Sequence, residues 1–402
     1  MFRRACLSLG FAIFVAIEST WAAPQYRGEL IFDPPGEHCH GSSIVELPNG
    51  DLLTAWFQGS GERRGDNARI NGARLKKGST EWSPVFLMAD SYNLPDCNPV
   101  LYLDSQGTLW QFWIRVIANR WEDCMLMYRR STDHEGGGAP NWDWQGVITL
   151  IPGEEFPDIV EQKLREARVD ARMWGEYAPP YSRLIAEAAR DKRKRQTGWM
   201  TRIHPIELES GRMVLPLYHD GFNISITAIS DDHGATWRSG GPMVGSGPIQ
   251  PTVVQKKDGS LVAFFRDAGN APKRILRAES TDESETWTIT RDIELPNPGS
   301  SLEVIALENG MWAMIHNDKE SYPGDNGRNT LSLSLSDDEG ETWKWTRNLD
   351  FAEPRQGQFS YPSLMQSKDG MLHATYTYNK GPIGRTIKHA TFNTDWVMEG
   401  DL

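Results

Sequence analysis

The feature that most constrains this chain is an eight-residue motif that occurs three times. It reads Ser230-Asp231-Asp232-His233-Gly234-Ala235-Thr236-Trp237, then Ser280-Thr281-Asp282-Glu283-Ser284-Glu285-Thr286-Trp287, then Ser336-Asp337-Asp338-Glu339-Gly340-Glu341-Thr342-Trp343. The copies begin 50 and 56 residues apart (230 to 280, 280 to 336), a period that belongs to repeat architectures. Within a hairpin the Asp carboxylate accepts backbone N–H groups, the Gly takes φ > 0, and the Trp packs the hairpin onto its neighbour. Each such Asp box therefore marks a turn and not a site. Ser284 stands where the other copies have Gly, and a degraded fourth copy begins at Ser131-Thr132-Asp133.

A fainter repeat counts the units. Six segments run from an apolar stretch to a Gly: His40 to Gly50, Asn98 to Gly107, His204 to Gly211, Gln250 to Gly259, Ser301 to Gly310 and Tyr361 to Gly370. A second apolar strand follows each Gly, at Leu52, Leu109, Met213, Leu261, Met311 and Leu372. Strand, Gly turn, strand and boxed hairpin make a four-stranded sheet, and six such sheets set radially hide their edges in a ring. The expected fold is all-β, a six-bladed β-propeller over residues 24–402 as a single domain. Residues 154–197 break the pattern with helical spacing of Leu164, Ala167, Leu184, Ile185 and Ala188. They predict a helical insertion between blades 2 and 3, read as a solvated helical pair in preference to a lid.

Residues 1–23 have a basic start at Arg3 and Arg4, an apolar run from Ala5 to Ile17, and a small-residue exit at Ala22-Ala23. That is the pattern of a signal peptide and is too short for a membrane span, so the mature chain is expected outside the cytoplasm, secreted or periplasmic. The net charge of −12 is spread without a basic stripe, which argues against a nucleic-acid partner. An anionic substrate would need local cations. Cys39, Cys97 and Cys124 remain after Cys6, an odd number that allows at most one internal bridge, with Cys97–Cys124 one of three pairings. No CxxC or HExxH occurs, His38-Cys39-His40 is too short to specify a metal, and Glu135-Gly136-Gly137-Gly138 is not set between strand and helix. No cofactor or metal is expected.

In a propeller the innermost strands begin near the axis, so His40, Asn98, His204, Gln250, Ser301 and Tyr361 are expected to converge on one face. Arg115, His219, Arg266, Asn317 and Asn379 leave the second strands there. The convergence predicts an axial pocket able to bind an anionic sugar and to move protons. For His204 and His219 a hydrogen-bonded axial plug is an equal reading.

The boxes and blades, over residues 36–393, resemble the sialidase (neuraminidase) superfamily, also called BNR-repeat proteins. The resemblance implies a carboxylate clamp of three arginines, a Tyr nucleophile paired with a Glu, and a loop Asp as acid/base. Phe359-Ser360-Tyr361-Pro362 is similar to the nucleophile motif, Phe264-Phe265-Arg266-Asp267 to the second arginine motif, and Asn326-Gly327-Arg328-Asn329 to the third. Glu62-Arg63-Arg64-Gly65-Asp66 corresponds to the acid/base loop, with Asp66 the candidate. The chain departs from the family at two points. His40 stands where the first clamp Arg belongs, and Gln250 where the Tyr-activating Glu belongs. Glutamine cannot take a proton from tyrosine, and His offers a switchable charge in place of a fixed fork. Glu303 is a possible substitute carboxylate, although an alternating strand residue is the plainer reading.

Three activities remain open. The first is a retaining glycoside hydrolase removing a terminal acidic sugar, with Tyr361 as nucleophile, Asp66 as acid/base, and Arg266 and Arg328 on the carboxylate. The second is a lyase on uronic-acid glycans, with His40 or His204 as base and Tyr361 as acid. The third is a propeller that binds acidic glycan without turnover.

Overall fold

The computed structural model describes residues 23–170, 181–322 and 325–401. The apolar stretch read as a signal peptide lies, except for Ala23, outside the described residues. Among the described residues no helix is long and apolar enough to cross a membrane.

Six four-stranded antiparallel sheets are present, and they form the six blades of a β-propeller. Blade 1 comprises His38–Glu46, Leu52–Gly59, Arg69–Leu75 and Phe86–Ala89, and the next four blades follow the same consecutive order. Blade 6 differs. Its three inner strands, Gly357–Gln366, Leu372–Lys380 and Gly384–Phe392, come from the end of the chain, while its outermost strand is Tyr26–Leu30. Tyr26 pairs with Phe392 and Leu30 with Lys388, so the start of the propeller chain closes the ring on its end. The six Gly turns behave as their spacing requires: Gly50, Gly107, Gly211, Gly259, Gly310 and Gly370 all have φ between 81° and 86°.

Each intact Asp box caps the hairpin between the third and fourth strands of blade 3, 4 or 5. In blade 3, Asp232 accepts from the Thr236 amide at 2.8 Å and the Ser230 hydroxyl at 2.9 Å, and Gly234 N–H donates to Ser230 Oγ at 2.7 Å. The box Trp237 meets Trp110 and Phe112 of blade 2 edge-on, and Trp343 meets Phe264 of blade 4 in the same way. Gly234 has φ +76°, and a Cβ there would lie 2.4 Å from the Trp110 ring. Ser284 keeps the same left-handed backbone, also φ 76°, and its hydroxyl bonds Thr227 at 2.6 Å and the Trp287 indole at 3.2 Å. Those bonds offset the strain of a side chain where Gly is preferred.

The insertion forms α1 (Phe156–Glu166), α2 (Tyr181–Arg190) and α3 (Lys192–Gln196). It is more than a solvated pair. Phe156, Val160, Leu164, Tyr181, Ile185 and Ala188 are buried in one cluster with Phe112, Trp199, Phe222 and Ile224 of blades 2 and 3. The charged residues of α1 and α2 lie on the outer faces, as the 3.6-residue period dictates, whereas Arg195 of α3 is buried and pairs with Glu154 at 3.0 Å. Cys39, Cys97 and Cys124 are buried free thiols, so the Cys97–Cys124 pairing is not formed.

Candidate active site

The site is built by a backbone irregularity that recurs in four blades. Between His40 and Ser43, Cys97 and Val100, Ile249 and Thr252, and Ser360 and Ser363, the innermost strand slips its pairing by one bulge. The first bulged residue is left-handed each time: Gly41 (φ 61°), Asn98 (51°), Gln250 (53°) and Tyr361 (56°). A non-glycine residue pays roughly 1–2 kcal/mol for that conformation. Bulges re-aim side chains, and such strain collects at functional sites. Proline follows Asn98, Gln250 and Tyr361, where the ladder has no use for an N–H.

This register corrects one alignment read from sequence. Gly41 is the counterpart of Gln250 and Tyr361, and His40 is the counterpart of Ile249 and Ser360. His40 still reaches the cavity. Its ring lies 4.1 Å from that of Tyr361, and its Nδ1 is 2.8 Å from Thr377 Oγ1. Burial, with the Arg385 charge second, holds its imidazole well below the ordinary histidine range, so it is neutral.

The bulges open onto a polar cavity of about 410 Å³ lined by His40, Asn98, Gln250, Arg266, Arg328 and Tyr361. Tyr361 Oη accepts from Arg266 at 3.0 Å and from Gln250 Nε2 at 3.3 Å. Gln250 Nε2 also reaches Tyr218 Oη at 3.3 Å, while its Oε1 faces Arg266 at 3.5 Å, which orients the amide. The Arg328 guanidinium is 5.6 Å from the Tyr361 ring centre, and its Nη2 donates to the Gly299 carbonyl at 2.8 Å. Lys273 and Arg63 add two more cations to the wall, against the carboxylates of Glu62 and Asp220. The cavity thus concentrates positive groups in a chain whose net charge is −12.

The loop expected to carry the acid/base, Glu62 to Asp66, presents a different carboxylate from the one expected. Arg63 pairs with Asp220 of blade 3 and lies 4.7 Å above the Trp121 ring of blade 2, while Asn67 closes the loop on Ser60 at 2.7 and 3.0 Å. Held this way, the loop turns Glu62 into the cavity and leaves Asp66 exposed outside it, bonded to Asn119. The Glu62 side chain is 28% exposed, and burial raises its carboxyl above the ordinary range against the opposing pull of Arg63.

Other expected residues lie elsewhere. Arg115 Nε is 3.6 Å from the Asp96 carboxylate, which also binds the Trp113 indole at 2.8 Å. His219 is buried between Trp199 and Phe222, bonds the Thr197 carbonyl at 3.0 Å, and is pushed down to about 3 by burial. Arg115 sits one residue past Ile114, which pairs with Cys97 at a bulge as Arg266 does with Ile249, and His219 sits one residue past Tyr218, which bridges Met200. In a strand one residue reverses the facing side. Tyr218 and Asp220 therefore line the cavity and His219 does not. His204 lies off the cavity, held by Glu303 Oε1 at 2.5 Å, the Ile44 carbonyl and Ser43 at 3.1 Å each. Glu303 is thus engaged away from the Tyr361 hydroxyl. Asn317 ties the Thr330 and Phe359 carbonyls, Ser301 is buried, and Asn379 faces an outer groove. Lys273, Tyr218, Asp220 and the buried Arg202 carried no motif in the sequence. Strand parity is the signal that would have marked the second and third of them.

The fold and site together define a six-bladed β-propeller whose axial bulges assemble a cationic cavity around a tyrosine. The sequence matches the BNR repeat-like domain over residues 50–166 and 191–374, and the chain belongs to that family, as a divergent member of the sialidase/BNR propeller superfamily. It is 28% identical over 178 residues to a sialidase of Micromonospora viridifaciens and over 184 residues to an anhydrosialidase of the leech Macrobdella decora. Those segments cover 43% and 42% of this chain but only 26% and 23% of the relatives, so the chain matches about a quarter of their length. Among solved structures, the intramolecular trans-sialidase of Ruminococcus gnavus aligns with TM-score 0.64 at 14% identity, over 92% of this chain and 98% of that one. At that identity the likeness concerns the fold.

Proposed function

We propose that this protein is an exported exo-acting glycoside hydrolase that removes a terminal acidic sugar, sialic acid or a close analogue, from glycans. The observation that carries the reading is Tyr361 Oη in the cavity, hydrogen-bonded by Arg266 and Gln250, with the raised carboxyl of Glu62 on the same wall. Arg266 and Arg328 hold the sugar carboxylate. Tyr361 Oη attacks the anomeric carbon, its proton passing to neutral His40, as the glycosidic C–O bond breaks and Glu62 protonates the leaving oxygen. Water then attacks the tyrosyl-bound sugar, Glu62 takes its proton, and Tyr361 recovers its own from His40. A carboxyl that burial makes a weaker acid suits this role better than the exposed Asp66.

The neutral imidazole beside Tyr361, with Gln250 in place of a carboxylate, also favours a second reading: β-elimination from a uronic-acid glycan. There His40 removes the proton α to the carboxylate and Tyr361 protonates the leaving oxygen. Incubation with a panel of sialosides and uronic-acid polysaccharides, with products identified by mass, separates the two. Hydrolysis adds water, whereas elimination leaves an unsaturated sugar whose conjugated carboxylate absorbs in the short-wavelength ultraviolet. Release of neither product by the wild-type protein would overturn both.

A further inference from the structure

Close to the Tyr361 ring, and not among the residues that line the cavity, lies a charged group that no motif marks. Arg202 is only 2% exposed and sits in the irregular segment of blade 3 between Met200, which bridges Tyr218, and Ile206, which pairs with Val214. Its Nη1 donates to the Ser42 carbonyl at 3.1 Å and its Nη2 to the Pro362 carbonyl at 2.7 Å. One guanidinium therefore ties the bulges of blades 1 and 6, and grips the residue next to Tyr361. The guanidinium carbon is 5.1 Å from the Tyr361 ring centre.

The counter-charge is Glu303 of blade 5. Its carboxylate is buried, bound by His204 at 2.5 Å and by the Leu364 amide at 2.8 Å. Burial disfavours the charge on Arg202, and Glu303 works against that. A buried charge is a costly way to join two carbonyls if joining them is its whole purpose. At the cavity wall, Arg266 and the amide of Gln250 both donate to the same phenolic oxygen. Donors aimed at one oxygen, with a buried cation beside its ring, suit a group that carries negative charge.

We infer that Arg202 is a positioning residue for Tyr361: its buried cation, moderated by Glu303 and His204, stabilises the negative charge that the phenolic oxygen acquires as it reacts. The inference rests on the proposed role of Tyr361 and explains how that residue can react where the family's activating carboxylate is replaced by Gln250.

Nitration by tetranitromethane, which attacks phenolates, tests this without needing turnover. Tyr361 and Tyr92, which is 91% exposed and serves as internal reference, are quantified by peptide mass spectrometry at pH 8. Arg202→Met is expected to lower the Tyr361/Tyr92 ratio at least fivefold, and Arg202→Lys to hold it within twofold of wild type. Glu303→Gln, which removes the counter-charge, is expected to raise it at least twofold. An unchanged ratio in Arg202→Met overturns the inference. So does a fall in Glu303→Gln, since a network that only maintains shape would loosen in both variants. If Arg202→Met does not fold, the direction of change in Glu303→Gln decides alone. Turnover of an acidic glycoside by the wild type, with nitration unaffected by either variant, would keep the proposed function and remove Arg202 from it. The expected nitration pattern without turnover would do the reverse.

Discussion

The two ends of the propeller solve the same backbone problem in opposite ways. Strands alternate in direction, so the bulges that start the innermost strands and the Asp boxes that follow the third strands lie at opposite ends. Both need residues at positive φ. At the box end His233, Glu283 and Glu339 (φ 52–57°) precede Gly234, Ser284 and Gly340 (φ 76–77°) in three near-identical sequences. At the axial end Gly41, Asn98, Gln250 and Tyr361 (φ 51–61°) share one geometry and no chemistry. Sequence repeats where the side chain serves the turn itself. It diverges where the turn only aims a side chain at something else.

The contrast predicts that axial substitutions change activity and box substitutions change stability. The largest effect is expected from Tyr361→Phe, which should lower kcat on an acidic glycoside about a thousandfold, on the order of 4 kcal/mol of barrier, with thermal unfolding within a few degrees of wild type. Full activity in this variant would sink the assignment of the nucleophile. Glu62→Gln should cost about a hundredfold on substrates with poor leaving groups. Because the acid must be protonated and its carboxyl is raised, wild-type activity falls as pH rises through that raised value. A pH–rate profile of Glu62→Gln should lack this alkaline limb.

At the other end, Gly234→Ala combines a strained φ with a Cβ driven toward Trp110, so a loss of about 2 kcal/mol in urea-unfolding stability is expected, with kcat unchanged for the folded fraction. A Gly234→Ala protein with normal stability but impaired kcat would break the division between the two ends. The smallest effect belongs to Asp66→Asn, which touches neither the cavity nor a box. Activity within twofold of wild type is expected, and a hundredfold loss would return the acid role to Asp66 and away from Glu62.

Legibility followed the same division. Three boxes and six Gly turns made the blade count readable, because each turn tolerates few residues and the period repeats. Tyr361, Arg266 and Arg328 were readable from motifs, and the structure brings them into one cavity. The misplacements were small in sequence and large in space. The sequence points to His219 where Tyr218 and Asp220 face the cavity, and to Asp66 where Glu62 does. In both cases an error of one to four residues reversed the direction of a side chain, since facing depends on strand parity and on how a loop is closed. The closing strand Tyr26–Leu30 carried no box and no motif, so its place in blade 6 was hidden.

From sequence alone the chain is committed to a ring of six sheets, because its turn residues are local requirements that any folded form must satisfy. Which polar groups meet at the axis was decided only by the tertiary structure. Arg202 comes from blade 3, Ser42 from blade 1, Pro362 from blade 6 and Glu303 from blade 5, and 160 residues separate Arg202 from each of its two carbonyl partners. Ring closure brings such residues together, and electrostatics between them depends on distance and burial, which spacing along the chain does not encode.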